Sequence, residues 1–251
     1  MLYKVAHHRA PATQFLVLIM AALTICISVS SCQGKRFSDE DAFVTVWNTE
    51  LPGITSSNQI QLPLAPDGEY DFQVDWGDGK RNRITKYDHP KTLHTYKSPG
   101  KYTITVTGKI RGFGFHPALP GDNGKLVDVI RWGPVILHDD GFQFQGISLT
   151  GFSATDTPDL SQNTNLQYMF YFAEQFNNGI SNWDVSNITN MNHMFWWAKS
   201  FNQDIGVWDV RNVSDMTYIL NGADSFDQDL SIWENINMAA ISNIPKQTSS
   251  E

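Results

Sequence analysis

Residues 176–195 read FNNGISNWDVSNITNMNHMF, and 25 positions later residues 201–220 read FNQDIGVWDVRNVSDMTYIL. The register extends in both directions. Trp183, Trp208 and Trp233 share one column, Phe176, Phe201 and Phe226 another, and Met169, Met194 and Ile219 a third, with Ala173, Ala198 and Ala223 beside it. A fixed period of this length is the signature of a repeat array. A single repeat cannot bury its own apolar face, so neighbours must stack. Within each repeat Ile180, Trp183 and Val185 suit an extended edge. Met191, Met194, Phe195 and Ala198 fall at i, i+3, i+4 and i+7, which predicts a short helix. Asn177, Asn187 and Asn190, with Asn202, Asn212 and Asp215 one period on, are expected to bond free backbone groups at the corners. The array is placed at residues 125–245, with 246–251 as a disordered tail.

Upstream, the texture changes. Tyr70, Phe72, Val74 and Trp76 alternate with Asp71, Gln73 and Asp75, and Tyr102, Ile104 and Val106 alternate with threonines. That period of two is the mark of half-buried strands. Gly77-Asp78-Gly79 and Ser98-Pro99-Gly100 supply turns. Residues 42–112 are therefore expected to form a small β-sandwich.

Two resemblances follow from these residues. Val74-Asp75-Trp76-Gly77-Asp78-Gly79, His94-Thr95-Tyr96 and Pro99-Gly100-Lys101-Tyr102-Thr103-Ile104-Thr105-Val106 resemble a PKD-like domain, an extracellular immunoglobulin-like spacer or binding module. The repeats resemble those of BspA-like leucine-rich-repeat surface proteins, known also from mycoplasma lipoproteins. Together they imply a mixed fold: an all-β sandwich followed by a short α/β leucine-rich-repeat-type solenoid with 25-residue coils.

The start of the chain points to an envelope. Lys4, His7, His8 and Arg9 precede an apolar stretch, Phe15 to Val29. That stretch is short for a bilayer span, which takes about 20 apolar residues, and has the flanks of a signal peptide. Val29-Ser30-Ser31-Cys32 resembles the lipobox of bacterial lipoproteins. The resemblance implies cleavage after residue 31, a lipid on Cys32 and a tether over 32–41. The only other cysteine, Cys26, lies in the leader, so the mature chain would have no disulfide. Gln33 after the cysteine implies sorting to the outer membrane or cell surface.

Composition narrows the function. The formal charge is −8, and both cations of the leader would leave with it. A surface of that sign repels nucleic acid. His89, His94, His116, His138 and His193 show no zinc-binding spacing, and there is no nucleophile elbow or paired acid and base. No enzyme activity and no cofactor are expected. Asp75 and Asp78 flank a turn as weak Ca²⁺ candidates, with turn bonding the simpler role. The aromatic pair Trp196-Trp197, echoed one repeat earlier by Tyr171-Phe172, is the candidate ligand platform, because Met194, Phe195 and Ala198 claim the buried side. The reading is a lipid-anchored, non-catalytic binding or adhesion module for a protein or glycan. The alternative is a periplasmic envelope scaffold with no external ligand.

Overall fold

The structure is a computed structural model that describes residues 41–116, 118, 121–149 and 151–236. The leader, Cys32, the tether up to residue 40, the end of the array over 237–245 and the tail over 246–251 lie outside the described residues. The described residues belong to one compact unit.

Alternation builds the first half. Strand β3 (Leu64–Asp75) buries Tyr70, Phe72 and Val74, and β6 (Lys101–Phe113) buries Ile104, Val106 and Ile110 against it. The sheet runs β4 (Arg81–Ile84), β3, β6, β1 (Phe43–Asn48), β7 (Leu126–Arg131), all antiparallel, and β8 (Ile136–Leu137) joins β6 in parallel. Strands β2 (Gln59–Gln61) and β5 (Leu93–Thr95) pair as a separate ribbon. The segments around Trp76, His94 and Tyr102 converge where this ribbon meets the sheet. Tyr96 stacks on Tyr102 with 3.6 Å between ring centroids, and its hydroxyl donates to the Trp76 carbonyl at 3.1 Å. Gly77 turns with φ +76°, and a Cβ there would stand 2.4 Å from the Thr103 carbonyl oxygen. The turn therefore requires glycine.

The expected mixed fold is overturned. The described residues form an all-β fold of mostly antiparallel strands, with a single six-residue helix, α1 (Ser231–Ile236), and no α/β solenoid. Where a helix was predicted over Met191–Ala198, the chain makes successive tight turns. Met194 N–H donates to Met191, Trp196 to His193 and Ala198 to Phe195. His193 and Trp197 have φ of 55° and 60°, which no right-handed helix contains. The intervening N–H groups leave the segment altogether. Those of Met191, His193, Phe195 and Trp197 donate to the carbonyls of Asp215, Thr217, Ile219 and Asn221. Turns of this size return side chains to the inner side every three or four residues, as a helix would. Met191, Met194, Phe195 and Ala198 are therefore all fully buried.

Repeats lie side by side through these bonds. Phe144, Phe170 and Phe195 stack in sequence inside, as do Phe176, Phe201 and Phe226. Corner residues act as predicted. Asn177 Oδ1 accepts from Asn202 N–H at 2.6 Å, Asn202 Oδ1 from Asp227 N–H at 2.9 Å, and Asn190 and Asp215 cap Asn192 and Thr217. Asp139 starts one such column, accepting from the Thr164 N–H at 2.8 Å and its hydroxyl at 2.7 Å.

The two halves share a sheet, since β7 and β8, which lie at the start of the repeat region, pair with β1 and β6. One apolar core runs from Phe43 to Trp233. Beside β7 sits a buried charge pair. Lys125 Nζ lies 3.6 Å from Asp122 and donates to the carbonyls of Thr55, Ser56 and Gln59 at 2.8–3.0 Å. Asp122 accepts in return from the backbone of Thr55 and Gln61. Burial this complete is tolerated because nearly every polar site is used.

Candidate binding face

Stacking of the repeats sets two aromatic columns on one face. Phe142, Tyr168, His193 and Tyr218 follow one another with ring centroids 4.6, 4.6 and 5.0 Å apart. The neighbouring column is Gly146, Phe172, Trp197 and Gly222. Phe172 and Trp197 stack 5.9 Å apart with 5° between ring planes. Tyr171 and Trp196, 5.4 Å apart, fill the space between the columns. Phe172, Trp197 and Tyr218 are 42%, 40% and 44% exposed, whereas Tyr171 and Trp196 are only partly open to solvent.

These columns have an unusual backbone. Among the described residues the non-glycine positions with left-handed φ are Phe142, Tyr168, Phe172, His193, Trp197 and Tyr218. Every one belongs to this face. An L-residue in that region costs about 1–3 kcal/mol, and bulky side chains are rare there. Gly146 and Gly222, in the same positions at the ends of one column, adopt φ 60° and 76° without that cost. The rings are therefore not demanded by the backbone path. Their gain is stacking, about 0.5–1.5 kcal/mol per pair, and an apolar stripe.

The rings of Phe142, Tyr168 and His193, and those of Phe172 and Trp197, lie face to face, whereas Tyr218 is tilted by 48° from His193. Lys199 Nζ sits 5.3 Å from the Trp197 ring centre and pairs with Glu174 at 3.0 Å, placing an ion pair on the rim. His193 is buried between Tyr168 and Tyr218, and that burial pushes its imidazole below the ordinary range against the pull of Asp215. Asp215 is held low: burial opposes its charge, but bonds from Thr217 and Asn192 outweigh it.

Of the platform residues read from the sequence, the structure brings all four together. It exposes Trp197 and Phe172 and tucks Trp196 and Tyr171 behind them. Phe142, Tyr168, His193 and Tyr218 went unrecognised, although Tyr168, His193 and Tyr218 carry the 25-residue spacing one position before the Met169 column. Asp75 and Asp78 do not converge on a common point. Asp75 accepts from Gly77 N–H at 3.0 Å and pairs with Arg81 at 2.8 Å. Asp78 accepts from Lys80 N–H and meets His94 Nε2 at 3.0 Å. No three His, Cys, Asp or Glu side chains among the described residues cluster as metal ligands. A second feature had no sequence signal: a groove of about 470 Å³ between Leu62, Phe115, His116 and the exposed Ile54, Tyr87 and Leu93. Its walls come from separate stretches of chain.

The repeats and the face they build coincide with a known sequence family. Residues 142–250 match the family described as Mycoplasma protein of unknown function, DUF285. This family is associated with BspA-like Mycoplasma surface proteins. The DUF285 match begins at Phe142, the first ring of the aromatic columns, and includes every other member of them. No curated protein and no solved structure matches the chain. No helix among the described residues is long and apolar enough to cross a membrane.

Proposed function

We propose that this protein is a membrane-anchored surface lipoprotein whose aromatic face docks a protein or glycan partner without chemistry. The observation that carries the reading is the strained stripe: six aromatic or imidazole residues held at left-handed φ, with Phe172, Trp197 and Tyr218 open to solvent. Strain retained on one exposed face, where glycine would sit more cheaply, is the pattern of a functional surface. Lipobox-like Val29-Ser30-Ser31-Cys32 supports attachment through Cys32. The PKD-like segments around Trp76, His94 and Tyr102 support a spacer role for the first half. The resemblance of the repeats to BspA-like surface proteins supports an outward-facing binding role.

The test is binding of the unmodified protein and of Trp197→Gly to panels of matrix proteins and glycans. Glycine fits the local φ, so the fold should persist while partner binding falls at least about tenfold, as for a central interface aromatic. Equal binding by both would remove the stripe from the function. Protease treatment of intact cells tests exposure: loss of the repeats before lysis supports a surface location, and protection until lysis sinks it.

A further inference from the structure

Charge is unevenly divided along this chain. Between residues 80 and 101 seven lysines and arginines meet one acid, Asp88, a formal +6 (7 − 1) in a protein of −8. Residues 125–236 carry 4 cations against 14 acids, a formal −10 (4 − 14). All seven cations of the first stretch are exposed. Three of them, Lys80, Arg81 and Lys91, come from the turn after β3, from β4 and from the short turn before β5. They meet on a pocket of about 530 Å³ that Asn82, Leu93, His94 and Thr95 complete. Neither Asp75 nor Asp78 lines it.

Much of the bonding capacity of this pocket is unspent among the described residues. The Lys91 side chain has no ion pair and no hydrogen bond. Arg81 bonds Asp75 through Nε at 2.8 Å, and its two terminal nitrogens have no partner. Asn82 accepts from Trp76 Nε1 through Oδ1 at 3.0 Å, and its amide nitrogen is free. Thr95 Oγ1 accepts from Gln59 Nε2 at 2.9 Å and keeps its own proton to donate. Lys80 is shared between Asp78 at 3.2 Å and the Thr95 carbonyl at 3.3 Å. Burial is the main cause of the low His94 pKa, and Lys80 and Lys91 both push it the same way against Asp78. Both cations are therefore within electrostatic reach of one wall residue. A cleft lined by one sign of charge concentrates ligands of the other.

We propose that this pocket binds the acidic unit of a glycan, its sulfate or carboxylate group seated between Lys80, Arg81 and Lys91. Charged donors make the strongest hydrogen bonds to such oxygens, and a guanidinium can offer one group two donors at once. Asn82 and Thr95 suit sugar hydroxyls. Leu93, 40% exposed, gives the C–H face of a ring its one apolar contact. The volume falls in the range of small-ligand sites, about 300–1,000 Å³. A recess fits a projecting group better than it fits a flat bilayer. A long nucleic acid would have to pass the acidic repeats, which repel it. The site shares no residue with the aromatic face and stands whether or not that face binds.

Calorimetry of the full chain with a heparin octasaccharide tests the proposal, in about 50 mM salt, where screening is weak. Lys91→Gln, which breaks no bond of the fold, should weaken binding by about tenfold, the loss expected of one hydrogen bond to a charged group. Lys109→Gln removes the same charge outside the pocket and should change binding by less than about twofold. Trp197→Gly should leave it unchanged, and unsulfated dextran should not bind. Equal loss in Lys91→Gln and Lys109→Gln would make the attraction diffuse and overturn the pocket. Absence of octasaccharide binding would overturn it too. So would capture by vesicles of phosphatidylcholine and phosphatidylglycerol that Lys91→Gln abolishes while heparin binding persists, which would assign these cations to a membrane.

Discussion

His94 lies flat on Trp76, ring centroids 4.4 Å apart and planes within 6°, and its Nε2 faces Asp78 Oδ2 at 3.0 Å. Burial lowers the His94 pKa, with Asp78 pulling the other way. His138 and His193 are lowered by burial too. A histidine whose folded pKa lies below its unfolded value near 6.5 binds protons more readily when unfolded. Its contribution to stability is therefore full above that value and lost as pH falls through the folded pKa. Thermal melting should drop between pH 7.5 and pH 5. His94→Gln should flatten part of that slope, and an unchanged slope would refute the assignment.

Phe170 is fully buried and touches Phe176, Phe195 and Phe144 at 4.2, 5.5 and 6.0 Å between ring centroids. Phe170→Ala removes the shared ring of two interior stacks. It should cost about 3–5 kcal/mol in denaturant unfolding. A loss under 1 kcal/mol would mean that neighbouring repeats collapse into the gap.

Lys125→Met tests the buried pair beside β7. The substitution keeps the volume but leaves Asp122 without its cation, and breaking a buried pair in this way costs about 3–5 kcal/mol. Because Lys125 also holds the carbonyls of Thr55, Ser56 and Gln59, proteolysis should begin in residues 52–61. Cleavage elsewhere first would show that this loop has other anchorage.

Gly222→Ala is the smallest perturbation of the aromatic face. The added Cβ would stand 3.3 Å from the Trp197 indole at a φ of +76°, a backbone cost of about 1–2 kcal/mol. The expected result is a modest loss of stability and a shift in indole fluorescence. Retention of both would show that the ring moves freely.

Much of this arrangement was legible because it depends on short-range patterns. Alternation marked Tyr70–Trp76 and Tyr102–Val106, and the 25-residue period located the stacked phenylalanines. Asparagine and aspartate marked the corners through their local bonding. The helix expected over Met191–Ala198 failed because consecutive tight turns and a helix return a side chain to the same side at nearly equal intervals. Hydrophobic spacing alone does not separate them. What does is φ at His193 and Trp197, which the sequence signals only where the second column ends in Gly146 and Gly222. The pairing of β7 with β1 was equally hidden, since it joins residues some 80 positions apart. The aromatic face was half seen: Trp196-Trp197 stood out as a doublet, whereas Tyr168, His193 and Tyr218 differ in type along their column.

The position of β1 between β6 and β7 has a mechanical consequence. Its bonds to β6 and β7 run across the strand, so tension along β1 loads both ladders in shear instead of unzipping them one rung at a time. A tether entering at Phe43 would pull along that strand while the repeats, tied through β7, resist from its other flank. Tension applied along β1 would therefore be shared by both of its ladders.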